Sequence, residues 1–195
     1  MKKILAILAL CPALGWGWSF GSGGSVDYSR DAGNTFICAS TATFTSQAGL
    51  SATTPVISLY NPPNSTKNLV LLEVGIDLNA SPAGAAGFIL AFDTGTVPAP
   101  SSTTILSNNG LVSPALLNTS TATATGICLL NSTLTRAPKA LRFLGGTTGA
   151  SAIGGVLLTD QTQGKIVVPP GSVIAIETTS AASFWADFVW REDNL

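Results

Sequence analysis

The chain has 195 residues, a formal net charge of −1 and only 10% charged residues, where typical soluble domains have about a quarter. Binding a phosphate backbone needs a concentrated basic patch, and the nearest group of cations is only Arg136, Lys139 and Arg142, so the composition disfavours a nucleic-acid partner. The sequence has no histidine, the commonest general base and metal ligand, and no CxxC pair, so we predict neither a metal ion nor a cofactor.

The chain begins with Lys2 and Lys3, an apolar run over residues 4–14, and two Gly-Trp pairs over residues 15–18. Two interpretations stay open: a secretion signal cleaved near residue 15, or a hydrophobic arm that the working protein keeps. The run is shorter than the about 20 residues that span a bilayer. We therefore assign residues 1–25 to a hydrophobic N-terminal arm with a Gly/Ser linker, and residues 26–195 to a folded domain.

Short β-rich runs separated by Gly, Pro and Asn turns follow the linker, without a helical period. They cover residues 36–45, 55–60, 69–79, 87–92, 123–130, 140–144, 165–168, 172–179 and 183–191. This spacing predicts an all-β fold, an antiparallel β-sandwich of jelly-roll type that carries the extended hydrophobic N-terminal arm. The Pro-, Ser- and Thr-rich stretch between Phe92 and Thr123 is predicted to be a surface excursion or a connection between sheets.

Alternation with a period of two predicts which side chains of these strands face the core. In the run over residues 69–79, one face is predicted to carry Val70, Leu72, Val74, Ile76 and Leu78. In the last run, Phe184, Phe188 and Trp190 alternate with Trp185, so each face carries an aromatic side chain. Two interpretations stay open: a core face with one stray surface tryptophan, or a core face and a subunit interface, which the low charge also supports. The candidates for such contacts are Leu5, Leu8, Trp16, Trp18 and Phe20 in the arm, and Trp185 and Trp190 in the last strand.

Cys38 and Cys128 both lie in strand-like sequence. They are predicted either to form a disulfide, in an oxidising compartment, or to be buried free thiols.

The sequence lacks a recognisable catalytic arrangement. Glu73 and Asp77 are the best carboxylate pair, but four residues of a strand span about 13 Å, beyond the about 5–9.5 Å that glycosidase pairs use. The sequence contains no GxSxG elbow, SxxK pair or phosphate-binding loop. We therefore predict that the protein is not an enzyme.

Two stretches carry a family resemblance: NPPNSTKNLVLLEVGIDLN and GKIVVPPGSVIAIETTSAASFWADFVWRE. An NP turn before a long apolar strand and a VPPG turn before the closing hairpin resemble small β-sandwich virion proteins of tailed bacteriophages, over roughly Pro55 to Glu192. The resemblance implies a capsid decoration or cement protein without enzymatic activity, a homotrimer located in the virion. Its partners would be the major capsid protein or other virion subunits, and the arm would contact neighbouring subunits or a membrane.

The alternative is an exported bacterial surface or periplasmic β-sandwich with a cleaved signal peptide, which binds carbohydrate through Trp185 or loop aromatics. A phage receptor-binding module is a further alternative. The first residue of the purified protein separates export from retention of the arm.

Overall fold

The computed structural model describes residues 34–40, 44–46, 49–52, 56–78, 85–100, 104–105, 124–147 and 157–195. The predicted arm, with all its candidate interface residues, lies outside these ranges. The described residues form eleven strands: β1 Thr35–Ala39, β2 Phe44–Ser46, β3 Val56–Asn61, β4 Lys67–Leu78, β5 Ala86–Asp93, β6 Thr104–Ile105, β7 Ile127–Ser132, β8 Lys139–Thr147, β9 Leu157–Val168, β10 Ser172–Thr178 and β11 Ala182–Asn194.

The strands form two antiparallel sheets that pack face to face. The first sheet has the order β1-β11-β4-β9, with β2 also paired to β11, and the second has the order β6-β7-β3-β10-β5-β8. Without β2, β6 and β7, these are the two four-stranded sheets of a jelly roll, in which Greek-key connections carry the chain between sheets. The prediction of an antiparallel, jelly-roll-like β-sandwich is confirmed, and β6 and β7 extend the second sheet beyond β3.

The core between the sheets is built from large apolar side chains. The rings of Phe36 and Trp190 stack with centroids 5.7 Å apart, and Phe88 meets Phe184 edge to face at 5.1 Å. Trp190 is wholly buried. Its prediction as an interface residue was therefore wrong: alternation along β11 turns it inward with Phe188, where it has no surface to offer a partner.

The predicted face of β4 was wrong in its first half. The core contains Leu69 and Leu71, and then Val74. The register of β4 with β11 shifts here: Leu71 is paired with Trp190 and Glu73 with Val189, so Leu72 is an extra residue in that ladder. A β-bulge shifts the alternation by one residue, so Leu69 and Leu71 before the bulge and Val74 after it all face the core.

The strand boundaries differ most from the prediction in three places. The run predicted over residues 36–45 is two strands, β1 and β2, and both pair with β11. The run predicted over residues 165–168 is only the end of β9, which begins at Leu157. The run predicted over residues 123–130 begins as a strand only at Ile127.

The turn at residues 169–171 is held against the turn that follows β3. The amide of Gly171 donates to the carbonyl of Asn61 at 2.9 Å, and the side-chain amide of Asn61 donates to the carbonyls of Lys67 and Val168. Gly171 has a φ of 74°, and a Cβ there would lie 3.0 Å from the Thr96 Cα. The position therefore requires glycine, for both its backbone angle and its lack of a side chain.

Candidate interaction surfaces

One edge of the sandwich is closed by a covalent bond. Cys38 of β1 and Cys128 of β7 form a disulfide, with sulfur atoms 2.10 Å apart and Cα atoms 6.5 Å apart. Both cysteines are buried in the core. Because β1 belongs to the first sheet and β7 to the second, the bond joins the two sheets at what we call the closed edge.

A buried carboxylate holds the segment that leads into β7. Glu192 Oε1 accepts hydrogen bonds from the amides of Thr125 and Gly126, at 2.7 and 2.8 Å, and from the Trp190 indole at 3.4 Å. The Lys67 ammonium lies 3.9 Å from the other carboxylate oxygen. Glu192 therefore ties the end of β11 to the start of β7.

The opposite edge, which we call the open edge, is formed by β8 and β9. These strands end the second and first sheets respectively. Arg142 Nε lies 3.1 Å from Asp160 Oδ2, which links the two strands across the gap. Inside this pair, Leu144 and Leu158 pack against the core. The contacts that join the sheets here are non-covalent.

The open edge exposes apolar side chains. Leu141 is 43% exposed, Phe143 70% and Val167 49%. Beside them is a groove of about 380 Å³, whose lining includes Leu141, Lys165 and Val167. Phe143 is paired with Ile89 and Val167 with Val70, so these two side chains point to the outer faces of the second and first sheets respectively. Exposed apolar side chains on an edge strand are candidates for interaction. We define the edge surface as Lys139, Leu141, Phe143, Lys165 and Val167.

A second exposed aromatic residue lies on the outer face of the first sheet. Trp185 is 38% exposed and is paired in the ladder with Asp77 of β4. Asp187 follows two residues later on the same face, and Glu73 lies on β4 beside it. We define the acidic face as Glu73, Asp77, Trp185 and Asp187. Glu73 and Asp77 thus face outward as part of a larger acidic group.

Asp187 fits into a space left by a glycine. A Cβ at Gly75 would lie 2.1 Å from Asp187 Oδ1, so the carboxylate lies directly over this residue. Burial raises the pKa of the Asp187 carboxyl above its ordinary value, and the nearby charge of Glu73 raises it further. Among the described residues, no cation forms an ion pair with the acids of this face.

Charged groups elsewhere on the described part of the chain are mostly paired. The ion pairs are Lys67–Glu192, Arg136–Asp93, Arg142–Asp160 and Arg191–Asp193. Within the described ranges, the cations without an ion pair are Lys139 and Lys165, and the solvent-accessible acids without one are Glu73, Asp77 and Asp187. The unpaired positive charge thus lies on the edge surface, and the unpaired negative charge lies on the acidic face.

Glu177 of β10 is the remaining acid, and it is fully buried. Neither of its carboxylate oxygens has a hydrogen-bond partner in the described structure. Burial raises the pKa of Glu177 from its ordinary 4.5 to about 8. The side chain is therefore mostly protonated at neutral pH, because burial removes the water that would stabilise its ionised form.

Sequence reasoning found Trp185 but missed Leu141, Phe143 and Val167. In the run KALRFL, apolar residues lie on both faces of β8. This pattern is typical of a strand that is covered on both sides. Among the described residues, no group of three or more acidic or cysteine side chains is placed to bind a metal ion, and no helix is long and apolar enough to cross a membrane. Comparison with known proteins finds no matching family model, no matching curated protein and no matching solved structure.

Proposed function

We propose that this protein is a structural virion subunit, which decorates or cements a capsid as a homotrimer through contacts with its own copies and with the major capsid protein or other virion subunits. The observation that carries the proposal is the edge surface, where three large apolar side chains are exposed on two unpaired strand edges. A weakly charged protein with such a surface is prone to associate, and incorporation into a shell would cover it. The described fold contributes a β-sandwich with exposed apolar side chains on its edge strands and on the outer face of the first sheet.

The test uses the full-length protein and purified capsid shells. If the proposal is right, the protein co-sediments with shells in saturable amounts, and substitution of Phe143→Ser on the edge surface weakens binding. Deletion of residues 1–20 tests the contribution of the arm: we expect weaker binding, because apolar burial contributes about 25 cal/mol per Å². A protein that never co-sediments with shells and stays monomeric at all concentrations would contradict the proposal.

The second candidate is an exported bacterial binding module with a cleaved signal peptide, secreted or periplasmic. Two observations favour it. The disulfide is of a kind that persists in oxidising compartments, and Trp185 beside Asp77 and Asp187 offers an aromatic surface with hydrogen-bond acceptors for a sugar ring. N-terminal sequencing of the protein from its native source separates the candidates. A first residue near Trp16 supports export, whereas Met1 or Lys2 supports the virion subunit.

A further inference from the structure

We propose that the groove beside the open edge binds a single-chain aliphatic carboxylate of the size of a medium-chain fatty acid. The inference goes beyond the proposed function, because it concerns a small-molecule site on one chain and does not depend on assembly into a virion. Three features of the groove define the ligand: apolar walls, a buried hydroxyl without a partner, and a cation without a balancing acid.

The groove lies where the chain crosses from the first sheet to the second. β9 is the edge strand of the first sheet, β10 lies inside the second, and the turn at residues 169–171 joins them. Residues 165–168 of β9 form one side of the groove, and residues 172–174 of β10 form another. Its volume of about 380 Å³ falls within the range of about 300–1,000 Å³ that small-molecule sites occupy.

The apolar part of the groove is continuous with the core of the sandwich. Val168 and Ile174 line it, and both are buried members of the core. Phe92 and Ile166 also line it and pack against the core, although they are only partly buried. Leu141 of β8, which is 43% exposed, belongs to the same lining. An alkyl chain bound here would extend the core and remove apolar area from water.

A buried hydroxyl group marks the polar part of the groove. Ser172 lines the groove and is only 2% exposed, yet its Oγ has no hydrogen-bond partner in the described structure. Asn61, which is paired with Ser172 in the ladder, does not supply the missing partner, since its own Oδ1 is also unpartnered. A buried donor without an acceptor is unfavourable, and a carboxylate is a strong acceptor. Ser172 is therefore a natural partner for the head of the ligand.

The charge of the groove favours an anion. Among the described residues that line it, Lys165 is the only charged one, and it forms no ion pair within the described ranges. Val168 lies at the Ser172 end, because its carbonyl accepts a hydrogen bond from Asn61. Lys165 is three residues away, about 10 Å along the strand, and its four-carbon side chain can carry the ammonium toward that end. A carboxylate between Lys165 and Ser172 would accept a hydrogen bond from each.

The test is calorimetric titration of the purified full-length protein with octanoate. We expect saturable binding of one octanoate per chain. Hexanoate and butyrate should bind more weakly, by up to about fourfold for each buried methylene group that is removed. 1-Octanol has the same alkyl chain without the charge, and it should bind more weakly than octanoate. A site that selects only for apolar character would show the opposite order.

Two substitutions test the polar contacts. Lys165→Gln should weaken octanoate binding about tenfold and leave the binding of 1-octanol unchanged. Arg191→Gln makes the same change of charge on β11, outside the groove lining, and should bind octanoate like the parent. Ser172→Ala should also weaken octanoate binding. The ligand-free Ser172→Ala protein should melt no lower than the parent, because alanine leaves no buried hydroxyl unpaired.

The results that would overturn the inference are specific. One is that octanoate does not bind, and another is that 1-octanol binds as tightly as octanoate. A third is that Lys165→Gln binds octanoate as tightly as the parent. The last is that Ser172→Ala melts lower than the parent and binds octanoate equally well, since the hydroxyl would then serve only the fold. None of these results bears on the virion role, which co-sedimentation with shells tests separately.

Discussion

The two edges of the sandwich are built in opposite ways. At the closed edge, the Cys38–Cys128 disulfide joins the sheets, and Glu192 fixes the chain that enters β7. At the open edge, the Arg142–Asp160 ion pair spans the gap and leaves apolar side chains in solvent. A partner that docks at the open edge would find its surface largely formed, while the fold is held together at the far side.

This difference also assigns stability and interaction to separate parts of the chain. A disulfide restricts the unfolded chain strongly, whereas an exposed ion pair contributes little to folding. Mutations at the closed edge should therefore change stability, and mutations at the open edge should change association. Variants at the two edges should therefore differ in how much stability they lose.

The largest effect is expected from removing the disulfide. Cys38→Ala with Cys128→Ala should lower the free energy of unfolding by about 2–5 kcal/mol, because the bond closes a long loop between residues 90 positions apart. Urea unfolding followed by tryptophan fluorescence measures the loss. Reducing the parent protein with dithiothreitol is the matched control and should produce a similar loss. A change below about 1 kcal/mol in both experiments would mean that the closed edge does not depend on the bond.

The next effect is a pH dependence of the free energy of unfolding, which we expect Glu177 to cause. Its folded-state pKa of about 8 lies above the ordinary 4.5, so between these values the folded protein holds a proton that the unfolded chain has lost. Stability therefore falls as pH rises from about 4.5 to about 8, by up to about 1.4 kcal/mol per pH unit, and is level above. Glu177→Gln should remove most of this slope, as measured by urea unfolding across pH 4–9.

Asp187→Asn is the control for that experiment. The pKa of Asp187 is also raised, so its contribution has the same sign, and its removal should leave the Glu177 slope in place up to about pH 8. An unchanged slope in Glu177→Gln would show that another group causes the pH dependence.

A smaller loss is expected when the carboxylate at the closed edge is removed. Glu192→Ala leaves the amides of Thr125 and Gly126 without their acceptor, which should cost about 1–3 kcal/mol. Glu192→Gln keeps an oxygen acceptor and is the matched control, so it should lose less. Equal losses for Ala and Gln would point to the negative charge, and to Lys67, as the main contribution.

The smallest effect on stability is expected at the open edge. Arg142→Ala removes the ion pair with Asp160, but the arginine side chain is half exposed, so the loss should be below about 1 kcal/mol and should shrink further at high salt. Arg136→Ala removes another exposed pair, with Asp93, away from the gap between the sheets and serves as the control. If Arg142→Ala lowers the free energy of unfolding as much as removal of the disulfide does, the proposed distinction between the two edges is wrong.

The parts of the fold that follow from local sequence were predictable. Regular alternation along β11 identified its core face, and proline- and glycine-rich turns marked most strand boundaries. The bulge at Leu72 was not predictable, because an extra residue in the ladder with β11 depends on the partner strand and leaves no mark on an unbroken apolar run. The first half of β9, LLTDQTQG, was missed because an edge strand there carries mostly polar residues.

The candidate surfaces were harder to predict than the sheets. Trp185 could be identified because it interrupts the polar face of β11, whereas the importance of Phe143 depends on β8 lying at the end of its sheet. Strand order comes from long-range pairing, which a sequence pattern does not encode locally. Which lysines and acids of the described ranges lack an ion pair likewise emerges only when the ion pairs are known.

Gly75 gives experimental control over the electrostatic potential of the acidic face without a change in its number of acidic residues. Since a methyl group there would coincide with an oxygen of Asp187, an alanine at this position must push the carboxylate out toward bulk water. Hydration would then let that group ionise more readily, and its charge would move away from the sheet without any acidic residue being added or removed. A single small substitution could thus retune how this face attracts cations, while the sequence keeps every one of its titratable groups.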